Sequence, residues 1–109
     1  MKSKDFREEL VKHKGSFLNK RYSITDELDI SIQANEFAYC RPRENLQSYT
    51  DYYEFELGFP NFDPPTYIMK YVEDPEYPQD TVYGYVPFEL IQKMIDDLRS
   101  EHVKKENTK

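Results

Sequence analysis

Residues 49–86 constrain the fold of this chain more than any other stretch. They contain most of its ten tyrosines, and turn-forming prolines divide them into three apolar runs. In the first run, Phe55 and Leu57 alternate with Glu54 and Glu56, which is the pattern of a half-buried antiparallel strand. The later runs, residues 67–72 and 81–86, predict two further strands joined by a proline-rich turn at 74–80.

The flanking segments predict a sheet with helices at both ends. Residues 3–13 predict a short helix that ends at Gly15. Residues 22–33 alternate as strands around a turn at 25–27, and residues 36–43 predict another strand that ends near Pro42. Pro87 opens a longer helix, because Ile91, Ile95 and Leu98 recur at three- and four-residue spacing.

These elements predict the α+β class. We expect an antiparallel sheet of about four to five strands, with an N-terminal helix and a longer C-terminal helix packed on one face. The length of 109 residues fits one domain spanning residues 1–109, with residues 104–109 as a frayed tail.

Charge is distributed unevenly along the chain. Residues 1–21 hold seven basic and three acidic side chains, a balance of +4, and residues 22–89 hold three basic and fourteen acidic ones, a balance of −11. Nucleic acids bind through Lys and Arg that release counterions from phosphate, so the acidic, tyrosine-rich sheet is not expected to bind nucleic acid directly. A partner protein with a basic surface fits it better.

The potential metal ligands are few and scattered. Cys40, His13 and His102 share no local spacing, so neither a metal nor a cofactor is expected. A single cysteine and the lack of a long apolar run predict a cytoplasmic protein that does not enter a membrane.

Two residue pairs offer candidate catalytic chemistry. Arg7 and His13 have a spacing that occurs in some small nucleases, and Glu54 and Glu56 share one face of a strand at a separation that suits paired-carboxylate hydrolysis. Ordinary solvent-facing positions explain both pairs, so no enzyme is predicted. A small nuclease or hydrolase using these residues remains the alternative.

The tyrosines are the least ordinary feature, since tyrosine is enriched in protein interfaces. We therefore predict a protein-binding module, of which an inhibitor that covers a nucleic-acid-binding surface by charge mimicry is one form. The predicted partner-binding residues are Tyr49, Tyr52, Glu54, Glu56, Tyr77, Tyr83 and Tyr85. Two alternatives stay open: these rings pack a second small core, or an exposed edge strand makes the chain a homodimer or a structural homo-oligomer.

Overall fold

A computed structural model describes residues 4–107 and shows a four-stranded antiparallel sheet with one long helix packed against one face. The strands follow the order of the chain, β1-β2-β3-β4. The strands are β1 (Tyr22–Ser23), β2 (Asp29–Gln33), β3 (Glu54–Gly58) and β4 (Val82–Pro87); the helices are α1 (Thr66–Met69) and α2 (Phe88–Asn107), and two 3-10 turns span Phe6–Glu8 and Tyr49–Asp51. The predicted α+β class is confirmed, with four strands.

The inner face of the sheet and α2 enclose the core. Ile30, Ile32, Phe55 and Leu57 on the sheet are fully buried, as is Ile91 on the helix. Strand alternation and helical spacing predicted these positions, because an element buries the side chains that share one of its faces. Fraying of the last residues of α2 stays a prediction, and residues 108–109 lie outside the described part of the chain.

The predicted N-terminal helix is wrong. Only Phe6–Glu8 forms a 3-10 turn, capped by the Asp5 carboxylate, which accepts the Arg7 backbone N–H. The chain then forms a hairpin in which Lys12 pairs with Asn19. Gly15 adopts φ 74° at its turn, a conformation that costs glycine little and that here reverses the chain. Residues 1–3 lie outside the described residues.

The predicted strand at 36–43 is a loop that crosses the outer face of the sheet, the face turned away from α2. The Asn35 side chain accepts the Phe37 and Ala38 N–H groups, which bends the chain out of strand geometry. Tyr39 N–H then donates to Glu56, and Tyr39 C=O accepts from Tyr85 N–H. Residues 36–43 are called the crossing loop below.

The predicted strand at 67–72 is also wrong, because this run forms α1 instead. The Pro65 carbonyl accepts the N–H groups of Ile68 and Met69, which starts a helical turn. Only Val72 pairs with the sheet, opposite Tyr83. A short apolar run is compatible with a buried helix as well as a buried strand, so its periodicity does not separate the two.

A bulge in β4 reverses the predicted orientation of one tyrosine. Phe55 pairs with Val86 and Leu57 with Tyr83, so β4 has one residue more than β3 between these pairs. The extra residue lets Tyr83 and Val86 both face the core, and Tyr85 takes φ 56°. Regular alternation had placed Tyr83 on the outer face, which is incorrect.

Candidate protein-binding surface

Two of the predicted partner-binding tyrosines are core residues. Tyr52 is 1% exposed and Tyr83 is fully buried. The Tyr52 hydroxyl accepts the Leu46 N–H at 2.8 Å and donates to the Glu44 carbonyl. The expectation that Tyr52 faces outward fails because the chain bends at Tyr53, which points Tyr52 inward ahead of β3. Neither ring can contact a partner while the domain is folded.

Tyr49 connects the core to the N-terminal hairpin. Its hydroxyl donates to Asn19 Oδ1 at 2.6 Å, and its ring lies 5.9 Å from that of Tyr52. Burial raises the pKa of Tyr49 above its ordinary value. The contact fixes the ring in place and leaves only part of it accessible.

The crossing loop contacts both carboxylates of the predicted pair, Glu54 and Glu56. Arg41 Nε lies 3.1 Å from Glu54 Oε1, an ion contact without hydrogen-bond geometry, since that oxygen has no hydrogen-bond partner among the described residues. Glu56 accepts the Tyr39 N–H at 3.1 Å. These carboxylates therefore hold the loop on the sheet, and a reaction that needed both of them free would first require that loop to move away.

Tyr85 lies on the same outer face within a stack of rings and cations. Its ring stacks on Tyr39 at 5.9 Å, and the Arg41 guanidinium lies 4.8 Å from its centroid. Both interactions use faces that a partner would otherwise contact. Tyr85 is thus only partly accessible.

Tyr77 is the predicted binding residue that the structure leaves most open. It is 60% exposed at the tip of residues 73–80, called the acidic loop below. The loop is ordered by its own hydrogen bonds: Tyr77 N–H donates to Asp74 C=O at 3.2 Å, and Asp80 N–H donates to Tyr77 C=O at 2.9 Å. The buried Tyr83 hydroxyl donates to Pro78 C=O at 2.6 Å and ties the loop to β4.

The surroundings of Tyr77 are strongly negative. Four exposed carboxylates lie in the acidic loop, and Asp63 joins them through a 3.2 Å hydrogen bond from Gln79. Within residues 4–107 none of the five forms an ion pair. The five are Asp63, Glu73, Asp74, Glu76 and Asp80. Burial raises the pKa of Tyr83 to about 12, and the charge of Asp63 contributes to that shift.

A cleft beside the C-terminal half of α2 contains a histidine–carboxylate contact. His102 Nε2 lies 3.4 Å from Asp26 Oδ1 in a cleft of about 370 Å³, and the one hydroxyl in its lining, Thr25, already accepts the N–H groups of Glu27 and Leu28. The lining therefore offers a histidine, a lysine and three acids, and no hydrogen bond from the Thr25 hydroxyl to a base is seen within residues 4–107. Over residues 4–107 there is also no group of three or more side chains that could hold a metal ion.

Arg7 and His13 do not form the predicted helical pair. Arg7 binds Asp5 at 2.9 Å and lies 3.8 Å from the centroid of the Phe88 ring, whereas His13 is exposed on the hairpin. The helix that would have aligned them is absent. Their spacing in the sequence therefore does not place the two side chains in one site.

An exposed apolar and basic patch on the hairpin was missed by sequence reasoning. Phe17 and Phe37 are 51% and 64% exposed, with their ring centroids 5.5 Å apart, and Leu18 beside them is 45% exposed. The signal was Gly15 between two short apolar runs, which is also a hairpin pattern. Reading residues 3–13 as a helix that ends at Gly15 concealed it.

Comparison with protein-family models, curated proteins and solved structures found no match to this chain. No helix in the part of the chain that the structure describes combines the length and apolar character needed to cross a bilayer.

Proposed function

We propose that this protein is a protein-binding module that docks its acidic loop on a basic surface of another protein. The observation that carries the proposal is Tyr77, an exposed aromatic ring held at the tip of an ordered loop among five carboxylates that form no ion pair with any residue from 4 to 107. An aromatic ring supplies contact area, and a field of one sign selects and steers a partner of the other sign.

The order of the acidic loop supports a recognition role. Its tip is fixed by hydrogen bonds at Asp74, Tyr77 and Pro78, so a partner would meet a shape that already exists. A surface that is ordered before binding loses less conformational entropy when the complex forms. The same loop without those bonds would be a weaker candidate.

The form of the proposal that involves charge mimicry names the kind of basic surface. If the partner normally binds nucleic acid there, the carboxylates of the acidic loop would take the place of phosphates, and the protein would inhibit nucleic-acid binding. Displacement of this protein by duplex DNA would support that form. If the partner's basic surface has no affinity for nucleic acid, the protein is still a binding module, but the charge-mimicry form of the proposal is excluded.

The experiment is a capture assay with a matched pair of charge-reversal variants. Glu73→Lys with Glu76→Lys reverses two exposed charges of the acidic loop. Glu27→Lys with Glu44→Lys changes the net charge equally at two exposed side chains that form no ion pair within residues 4–107. Lysate of the native host is passed over wild-type protein and both variants, with nuclease present, at low and high salt.

A specific protein retained by the wild type and by the control pair, but lost with the loop pair and with salt, is the expected result. The affinity of the loop pair for that protein should fall by about tenfold or more, because attraction becomes repulsion at the contact. Equal retention by both variant pairs would overturn the assignment of the acidic loop.

A further inference from the structure

The basic hairpin, residues 11–20, is a second exposed patch with the opposite charge to the acidic loop. It carries three exposed cations, Lys12, Lys14 and Lys20, and the sequence has no acidic residue between Val11 and Arg21. Its apolar side chains are open as well, with Val11 56% exposed and Phe17 51% exposed. In a chain of net charge −6 this local excess of positive charge is distinctive.

The hairpin is anchored, so its side chains form a defined surface. Asn19 at its base is 4% exposed, and its Nδ2 donates to Ile32 C=O at 2.9 Å. The Asn19 N–H donates to Gln33 Oε1 at 2.9 Å, and Asn19 Oδ1 accepts from Tyr49. Only the base is buried, and residues 11–18 are exposed throughout.

Phe37 of the crossing loop completes the patch by packing on Phe17, and Arg43 donates to the Phe37 carbonyl at 3.2 Å. Two acidic residues lie near this side of the patch. Glu56 is engaged by the Tyr39 N–H, and Glu36 is exposed next to Phe37. Lys12, Lys14 and Lys20 on the hairpin form no ion pair within residues 4–107.

The hairpin and the acidic loop are complementary and separate. The acidic loop exposes Tyr77 among negative charges, and the hairpin exposes Phe17 among positive charges. The hairpin is bonded to β2, whereas the acidic loop follows Val72, which pairs with β4 on the other side of β3. No hydrogen bond or ion pair in the described part of the chain joins them.

We propose that the basic hairpin of one copy binds the acidic loop of a second copy, with Tyr77 against Phe17 and Phe37. The inference rests on the proposed function, since the second copy acts here as the basic partner of the same loop. Because the two surfaces differ, one head-to-tail contact uses the hairpin of one copy and the loop of the other, so each copy keeps one further surface with which to bind. Such an assembly grows with concentration and dissociates in salt.

Sedimentation velocity across a dilution series tests the contact with two charge-reversed variants. The loop pair is Glu73→Lys with Glu76→Lys, and the hairpin pair is Lys12→Glu with Lys14→Glu. Wild type should show a sedimentation coefficient that rises with concentration at low salt and stays constant at high salt. Each variant alone should remain a monomer, with self-affinity reduced about tenfold or more.

Mixing the two variants gives the decisive result. The loop pair keeps an intact hairpin and the hairpin pair keeps an intact acidic loop, and the charges reversed in the two variants are themselves opposite in sign. The mixture should therefore associate, with a sedimentation coefficient above that of either variant alone. A mixture that stays monomeric while wild type assembles would overturn the head-to-tail contact, and so would a wild type that stays monomeric at every concentration.

Further controls separate this inference from the proposed function and from misfolding. Lys14→Glu with Lys20→Glu provides a second hairpin variant, and amide NMR spectra of all variants confirm the fold. If the hairpin pair still captures the lysate partner and the wild type does not self-associate, the inference fails and the proposed function stands. Capture of a different, acidic protein through the hairpin, with no wild-type assembly, would likewise contradict the second copy as its occupant.

Discussion

Tyr52→Phe tests the assignment of this tyrosine to the core. The variant keeps the ring and removes a hydroxyl that accepts the Leu46 N–H and donates to the Glu44 carbonyl. Both backbone groups lose this partner, and Leu46 is half-buried, so water replaces the hydroxyl incompletely. Leaving such groups without partners lowers the free energy of unfolding by about 1–2 kcal/mol. In a domain of this size the melting temperature then falls by roughly 4–8 °C.

Urea unfolding of Tyr52→Phe and of Tyr53→Phe measures this difference. Tyr53 is the matched control, because it is adjacent, 53% exposed, and its hydroxyl makes no hydrogen bond in the described residues. The control should change the free energy of unfolding by less than about 0.5 kcal/mol, and neither variant should change the slope with urea. Equal stability of the two variants would refute the buried hydroxyl network and restore Tyr52 as a surface residue.

Three further predictions follow from the core and from α2. Phe55→Ala empties a site without solvent exposure, and it should lower the free energy of unfolding by about 3–5 kcal/mol in urea; a loss below about 1 kcal/mol would contradict this packing. Hydrogen bonds from Lys93 and Tyr67 hold the pKa of Asp97 below its ordinary 3.8. Because the folded pKa is the lower one, this stabilisation is present above pH 3.8 and is lost as the pH falls through the folded pKa. The melting-temperature deficit of Asp97→Asn should therefore shrink in acid, and a constant deficit would be contrary evidence. Cys40 is fully buried, and burial raises the pKa of its thiol. A thiol reagent should therefore react with Cys40 only as fast as the protein unfolds. Immediate labelling of the native protein would contradict the burial of this thiol.

The elements that could be predicted from sequence are those whose pattern is local. The alternation around Phe55 and Leu57 located β3, and the spacing of Ile91 and Ile95 located α2, because each element alone decides which of its side chains are buried. The β1–β2 hairpin was also predicted. The Thr25 hydroxyl accepts two N–H groups at its turn, a local device of the kind that turn composition reveals.

The elements that could not be predicted depend on contacts between distant residues. Residues 36–43 alternate like a strand, but Glu56 and Tyr85 on the sheet hold them as a crossing loop. The inward turn of Tyr83 needs a bulge that appears only when β3 and β4 are paired. For the candidate site, sequence reasoning included Tyr77 and an acidic surface but placed that surface on the sheet. The sequence could not show that Arg41 lies against Glu54 or that the crossing loop covers the carboxylates on the sheet.

The most direct test of the central claim is the footprint of the captured partner on this protein. Amide NMR spectra of labelled protein are recorded as the unlabelled partner is added. If the acidic loop is the binding surface, the signals of Glu73, Glu76 and Tyr77 should shift or broaden first, while those of Ser31 and Gln33 on β2 stay in place. Changes confined to the outer face of the sheet, with the acidic-loop signals unmoved, would contradict the account.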